Sequence, residues 1–93
     1  MQIRFLFLPD GEDLILVASK GGDPKDPLWW KNLQANPQAT VQVGQHRWKV
    51  EASEASAELK DRLWPVFCRY YPSYQTYQNK TERVIPLVVL KPL

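Results

Sequence analysis

The sequence predicts a β-rich α+β fold, a small antiparallel sheet or barrel with helices packed on it. Three observations indicate this. Short apolar or alternating runs follow one another across tight turns, which is typical of β-hairpins. The elements follow in the order β-β-α-β-β-α-α-β, without the strand–helix–strand alternation of parallel sheets. The length of 93 residues suits a single domain, residues 1–93, with a modest core.

The first predicted hairpin joins an apolar run over residues 3–8 to a second run over residues 14–18. The turn between them contains Asp10 and Gly11, a pair that favours tight hairpin turns. Each run is largely apolar on both of its faces. We therefore expect other elements to cover this hairpin on two sides.

A glycine-rich loop follows the second strand, with Ser19, Lys20, Gly21 and Gly22 in sequence and Lys25 close behind. A strand end, a glycine turn and a helix N-terminus can together direct backbone N–H groups at an anion. The two lysines would add positive charge there. The alternative is an ordinary tight turn in which glycine supplies the positive φ angle. From these residues alone both interpretations stay open.

The next segment predicts a helix with Asp26 as its N-cap and Pro27 at the first helical position. The helix should end near Asn36, because the proline that follows disfavours helix in the residue before it.

Two tryptophans lie near the start of this helix. Trp29 and Leu33 share a face, so we expect Trp30 to be partly exposed. Either tryptophan could form the wall of a flat aromatic pocket. The alternative is that both pack on the sheet.

Alternating residues 40–43 and 46–50 predict a second hairpin, with a two-residue turn at Gly44 and Gln45. His46, Trp48 and Val50 share one face of its second strand. We therefore expect a half-buried strand in which His46 is partly buried with its hydrogen bonds satisfied.

Ser56 is the expected N-cap of a second helix, in which Pro65 should cause a kink or a restart. Its apolar stripe is formed by Leu59, Leu63, Phe67 and Tyr70. After Pro72, residues 73–79 predict a short helix. Residues 84–90 predict the last strand, with Pro86 at a sheet edge or at the start of the strand.

Tyr71, Tyr74 and Tyr77 place three phenols within seven residues, and the last two share a helix face. A phenol can donate a hydrogen bond to a carbonyl, a nitro group or a developing oxyanion, and its ring can stack on a flat ligand. The alternative is that they are core residues with hydrated hydroxyls. Cys68 has little to activate it, and we interpret it as an inert thiol.

Charge and composition narrow the possible functions. The net charge is only +2 and the basic residues are scattered, so we expect no nucleic-acid partner. One cysteine and one histidine allow no internal disulfide and predict no metal site. No signal peptide or bilayer-spanning run appears, so we expect a cytoplasmic protein. No catalytic triad or carboxylate pair can be assembled, which points to chemistry supplied by a cofactor.

Five stretches together resemble the deazaflavin (F420)-dependent nitroreductase family. They are residues 18–22 (ASKGG), 27–37 (PLWWKNLQANP), 63–65 (LWP), 71–78 (YPSYQTYQ) and 81–86 (TERVIP). The resemblance covers almost the whole chain and implies a small split β-barrel like those of flavin-binding domains. It also implies hydride transfer from reduced coenzyme F420 to an electron-poor acceptor such as a nitroaromatic, a quinone or an activated alkene.

The resemblance also assigns residues. Those expected to bind the cofactor are Ser19, Lys20, Gly21, Gly22 and Leu28. Those expected to bind the substrate are Tyr71, Tyr77 and Trp29, with Tyr74 as the catalytic hydrogen-bond donor. Trp30 stands where a tyrosine is common in the family.

In the family a first strand and a basic, phosphate-gripping turn normally precede the part that matches here from Ile3. We therefore expect a shortened protein or a partner chain that supplies these parts, and an exposed sheet edge would favour a homodimer. The alternatives are a cofactor-binding or structural remnant without catalysis, and a protein that binds FMN.

Overall fold

In the computed structural model, which describes residues 7–19 and 27–93, five antiparallel strands form one sheet. The strands are β1 (Phe7–Asp10), β2 (Asp13–Val17), β3 (Gln38–Val43), β4 (His46–Glu54) and β5 (Leu87–Pro92), in the spatial order β1-β2-β5-β4-β3. The helices are α1 (Leu28–Ala35), α2 (Ala57–Tyr70) and α3 (Ser73–Asn79). The predicted fold class and order of elements are confirmed.

The first hairpin turns at Gly11, whose φ of 63° is the conformation that glycine adopts at low cost. Residues 3–6 of the predicted first strand lie outside the described residues. In β2 the side chains alternate between two cores, because Leu14 and Leu16 pack in one and Ile15 and Val17 in the other. The prediction that this hairpin is covered on both sides is confirmed.

The second hairpin turns at Gly44 (φ 61°), and both of its strands are longer than predicted. Val50 is completely buried and Trp48 is partly buried, as their shared face requires. The expectation for His46 is wrong, since this residue is exposed. It pairs with Val43 at the tip of the hairpin, where the strand has run beyond the core.

β5 lies in the middle of the sheet, between β2 and β4. Pro86 directly precedes this strand, so its position at a strand start is confirmed and the sheet-edge alternative is wrong. Proline has no N–H to donate to a neighbouring strand. Its carbonyl still accepts a hydrogen bond from the N–H of Ala18, at 3.1 Å.

The hydroxyl of Ser56 accepts a hydrogen bond from the Leu59 N–H at 3.2 Å, which confirms the predicted N-cap of α2. The helix does not restart at Pro65, because it runs as one element from Ala57 to Tyr70. The predicted apolar stripe ends one turn early. Tyr70, which was expected to be part of it, is 66% exposed.

The two faces of the sheet support two separate cores. The first, here called the α1 core, joins one face of the strands to Trp30 and Leu33 of α1. The second, here called the α2–α3 core, joins the other face to Leu63, Phe67 and Tyr74. None of the helices within the two described ranges has the length and apolar character needed to cross a membrane.

The expected exposure of Trp30 is wrong. Trp30 is only 4% exposed, whereas Trp29 lies partly buried beside the same core. Leu33 is three residues from Trp30 and four from Trp29, so its helical spacing fits either tryptophan. The position of α1 on the sheet decides between them.

The burial of Val50 gives a test of the α1 core. Val50→Ala should lower the free energy of unfolding by about 1.5–3 kcal/mol, because it removes two buried methyl groups and leaves a small cavity. Val84 is 70% exposed and provides the matched control. Val84→Ala should change the free energy of unfolding by less than about 0.5 kcal/mol. Urea unfolding followed by tryptophan fluorescence measures both, and equal effects would contradict the assignment.

Candidate functional site

Three phenols meet at the junction of α2 and α3, and Tyr71, Tyr74 and Tyr77 are called the tyrosine cluster below. The ring centroids of Tyr71 and Tyr74 lie 4.9 Å apart, and those of Tyr74 and Tyr77 lie 6.4 Å apart, both in edge-on arrangements. The hydroxyls of Tyr71 and Tyr77 are 3.1 Å apart and share a hydrogen bond. The predicted grouping of Tyr74 and Tyr77 on one face of a helix is confirmed.

The cluster has a buried base and an accessible rim. Tyr74 is only 7% exposed and packs edge-on against Phe67, with 6.1 Å between the ring centroids. Its ring also lies 6.3 Å from that of Trp64, whose indole N–H donates to the Gln75 side chain at 3.1 Å. Tyr71, in contrast, is 43% exposed. A ligand approaching from solvent would therefore meet the rim first, with Tyr74 beneath it.

The surroundings of Tyr74 and Tyr77 favour the protonated form of each phenol. Burial raises the pKa of Tyr74, and the neighbouring phenols Tyr71 and Tyr77 raise it further. The hydrogen bond that Tyr77 shares with Tyr71 is the main cause that raises the pKa of Tyr77. A protonated phenol is a hydrogen-bond donor, so the cluster is suited to stabilise negative charge on an oxygen atom.

Ser19, where the predicted cofactor loop begins, is partly buried directly after β2. The guanidinium of Arg83 donates to the carbonyl of Ala18 at 3.0 Å and to that of Ser19 at 2.8 Å. The main-chain carbonyl of Arg83 accepts a hydrogen bond from the side chain of Gln78 at 2.8 Å. Gln78 follows Tyr77 in α3, so the start of the loop is connected to the helix that carries two of the phenols.

Sequence reasoning assigned no role to Arg83 or Gln78. Both lie within stretches that carry the family resemblance, but nothing in their spacing indicated that they connect α3 to the end of β2. The sequence did contain one indication. Arg83 directly precedes an apolar strand, and burying a charged group there is costly unless it has hydrogen-bond partners.

The other predicted site residues are distributed differently. Lys20, Gly21 and Gly22 lie outside the described residues. Leu28, at the start of α1, is 71% exposed. Trp29 packs against the α1 core, on the opposite face of the sheet from the tyrosine cluster. The structure thus brings the three tyrosines together and connects them to Ser19, but it groups Trp29 with the α1 core.

Cys68 is partly buried, and burial raises the pKa of its thiol. Because the thiolate is the nucleophilic form, this shift disfavours reactivity. The structure agrees with the interpretation of Cys68 as inert.

The raised pKa of Tyr74 predicts a loss of stability at high pH. The unfolded chain releases the phenolic proton from about pH 10, before the folded chain does, so the free energy of unfolding falls as the pH rises through the folded pKa. Tyr74→Phe keeps the ring and should make this fall shallower. Urea unfolding at a series of alkaline pH values measures it, with Tyr70→Phe as the exposed control. Equal slopes in the wild type and Tyr74→Phe would contradict the prediction.

Comparison with known proteins identifies the family. The family model described as F420H(2)-dependent quinone reductase matches residues 4–92. A putative F420H(2)-dependent quinone reductase of Mycobacterium tuberculosis is 38% identical over 87 residues, which are 94% of this chain and 73% of the relative. Another, of Mycobacterium bovis, is 43% identical over 84 residues, which are 87% of this chain but only 56% of the relative. This chain therefore spans little more than half of the second relative.

Two solved structures are also similar to this chain. One, described as an F420-H2 dependent reductase, has a TM-score of 0.81 and 36% identity, covering 94% of this chain and 77% of its own. A second, described as a domain-swapped dimer, has a TM-score of 0.82 and 36% identity, covering 94% of this chain and 66% of its own. With a family model that spans nearly the whole sequence and a relative that is 38% identical over 94% of this chain, the chain belongs to the F420H(2)-dependent quinone reductase family.

Proposed function

We propose that this chain acts as an oxidoreductase that passes a hydride from reduced coenzyme F420 to a quinone-type acceptor. The observation that supports this most directly is the tyrosine cluster, in which the buried Tyr74 lies beneath an accessible rim formed by Tyr71 and Tyr77. The names of the relatives favour a quinone. Nitroaromatics and activated alkenes belong to the same class, because each gains negative charge on an electron-poor group when it accepts a hydride.

The proposed role of Tyr74 follows from its protonation state. When a quinone carbonyl accepts a hydride, negative charge develops on its oxygen, and a fixed hydrogen-bond donor lowers the energy of that state. Burial raises the pKa of Tyr74 and so retains the proton on its hydroxyl oxygen. Tyr71 and Tyr77, whose hydroxyls are bonded to each other, would bind the flat acceptor at the rim.

The cofactor would lie between the rim and the loop that begins at Ser19. Reduced F420, when bound, supplies the hydride. The proposed cofactor-binding residues are Ser19, Lys20, Gly21 and Gly22 in this loop, and Leu28. The side chain of Leu28 is 71% exposed at the start of α1, so it is accessible to a ligand. The hydroxyl of Ser19 can donate a hydrogen bond to a polar group of the cofactor.

The proposed substrate contact of Trp29 requires more than the described part of one chain. Trp29 lies against the α1 core, on the other face of the sheet from the tyrosines. We propose that the chain forms a homodimer, by analogy with the structural neighbour described above as a domain-swapped dimer. Within the described sheet the outer strands, β1 and β3, each pair with one neighbouring strand, and sheet edges of this kind favour pairing with a second copy.

The test of the proposed reaction compares two tyrosines that differ in burial. Tyr74→Phe should lower kcat for quinone reduction roughly 100- to 1,000-fold, the effect expected for loss of one aligned donor to developing charge. Tyr70→Phe removes the same hydroxyl from a side chain that is 66% exposed, and should leave kcat unchanged. Steady-state oxidation of reduced F420 by a quinone measures both variants.

Titration of the wild type with F420, followed by cofactor fluorescence, should show a Kd in the micromolar range or tighter. Parallel titration with FMN tests the choice of cofactor. Tight FMN binding without F420 binding would refute the proposal, as would wild-type kcat in Tyr74→Phe. A protein that binds F420 without turnover would be a cofactor-binding remnant of the fold.

Sedimentation velocity tests the homodimer. The expected result is a species of twice the mass of the chain that dissociates on dilution. A single species of monomer mass at every concentration, together with F420-dependent activity, would show that one chain suffices.

A further inference from the structure

We infer that Arg83 is a positioning residue that holds the backbone at Ala18 and Ser19, where the chain leaves β2, in register with the tyrosine cluster. Together with Gln78 it forms a link, here called the Arg83–Gln78 link, between the proposed cofactor side and the proposed substrate side of the site. The inference rests on the proposed function, because it assigns this link a consequence for turnover.

The first half of the link is the guanidinium of Arg83. It donates to two successive carbonyls, those of Ala18 at 3.0 Å and Ser19 at 2.8 Å. Successive carbonyls of a regular strand point in opposite directions, so their convergence on one group shows that the chain has left the strand path. A planar guanidinium with several fixed N–H donors can bind both, whereas the single ammonium of lysine cannot reproduce this fork.

The second half of the link is the main chain of the same residue. The carbonyl of Arg83 accepts from the Gln78 side-chain amide at 2.8 Å, and its N–H donates to the hydroxyl of Thr81 at 3.1 Å. The oxygen of the Gln78 amide also accepts a hydrogen bond from the Ile85 N–H at 2.9 Å. The Gln78 side chain therefore fixes the backbone between Arg83 and Ile85 to α3.

α3 needs such external contacts. It has only seven residues, and a helix of this length is not stable by its own hydrogen bonds. Gln78 directly follows Tyr77, so the contacts that hold the end of α3 also hold this phenol. A shift of either end of the link would change the distance between the phenols and Ser19, where the loop begins. Small misplacements of reacting groups lower turnover strongly.

Arg83 could instead act through its charge alone, by attracting an anionic cofactor. Arg83→Lys separates the two explanations, because it keeps the positive charge and removes the fork. Under the charge explanation this variant behaves like the wild type. Under the positioning explanation it does not.

The main experiment is a double-mutant cycle of Arg83→Lys, Gln78→Ala and the double variant. Each single variant should lower kcat/KM for quinone reduction on the order of tenfold, and the double variant should be no worse than the worse single variant. Either substitution breaks the same link, so the second substitution should cause little further loss of kcat/KM. Arg69→Lys, at an exposed arginine in the last turn of α2, is the matched control and should leave kcat/KM unchanged.

Additive effects in the double variant would overturn the inference, because they would show two independent local roles. Wild-type kinetics in Arg83→Lys would overturn it as well. Urea unfolding of all variants corrects for any change in the folded fraction. If Arg83→Lys does not fold, amide hydrogen exchange in Gln78→Ala, described next, tests the inference instead.

Amide hydrogen exchange without cofactor tests the link separately from the reaction. Gln78→Ala should speed exchange in a segment that Gln78 does not itself bind, residues 14–19, where the Ala18 N–H donates to Pro86. Unchanged exchange there would overturn the inference even if the enzyme is active. If the wild type neither binds F420 nor reduces quinones, the proposed function fails, while the exchange result still stands.

Discussion

The burial of the neighbouring strands β2 and β5 on both faces is the constraint on which the rest of the structure depends. Ile15 and Leu16 are adjacent in β2 and both completely buried, although their side chains point to opposite faces. Leu87 and Val88 repeat this in β5, the strand that pairs with β2. One sheet must therefore be covered twice, by α1 on one face and by α2 with α3 on the other.

The tyrosine cluster follows from this arrangement. Tyr74 is a member of the α2–α3 core, and its contact with Phe67 places a phenol above completely buried apolar side chains. The same burial raises the pKa of Tyr74, so the packing of the ring and the shifted pKa have one cause. A side chain whose ring is held by its neighbours is better oriented for catalysis than one on a free loop.

The polar contacts of this structure differ widely in how much they stabilise the fold. The ion pair of Arg62 with Asp10, at 3.1 Å, connects α2 to the first hairpin, but the arginine side chain is 60% exposed and such pairs stabilise little. The contacts of Arg83 connect the end of β2, which is at least 64 residues away in sequence, to the segment that follows α3. These bonds are partly buried, so breaking them leaves carbonyls with less access to water and costs more than breaking an exposed contact.

The sequence by itself determined the local features: the order of the elements, the turns at Gly11 and Gly44, and the Ser56 cap, because each depends on a few adjacent residues. It also determined the family. Only the tertiary structure decided that Trp30 rather than Trp29 is buried, and that Arg83 connects the end of β2 to α3. Periodicity defines the faces of a helix or strand, whereas the element that covers each face is set by packing between residues far apart in the chain.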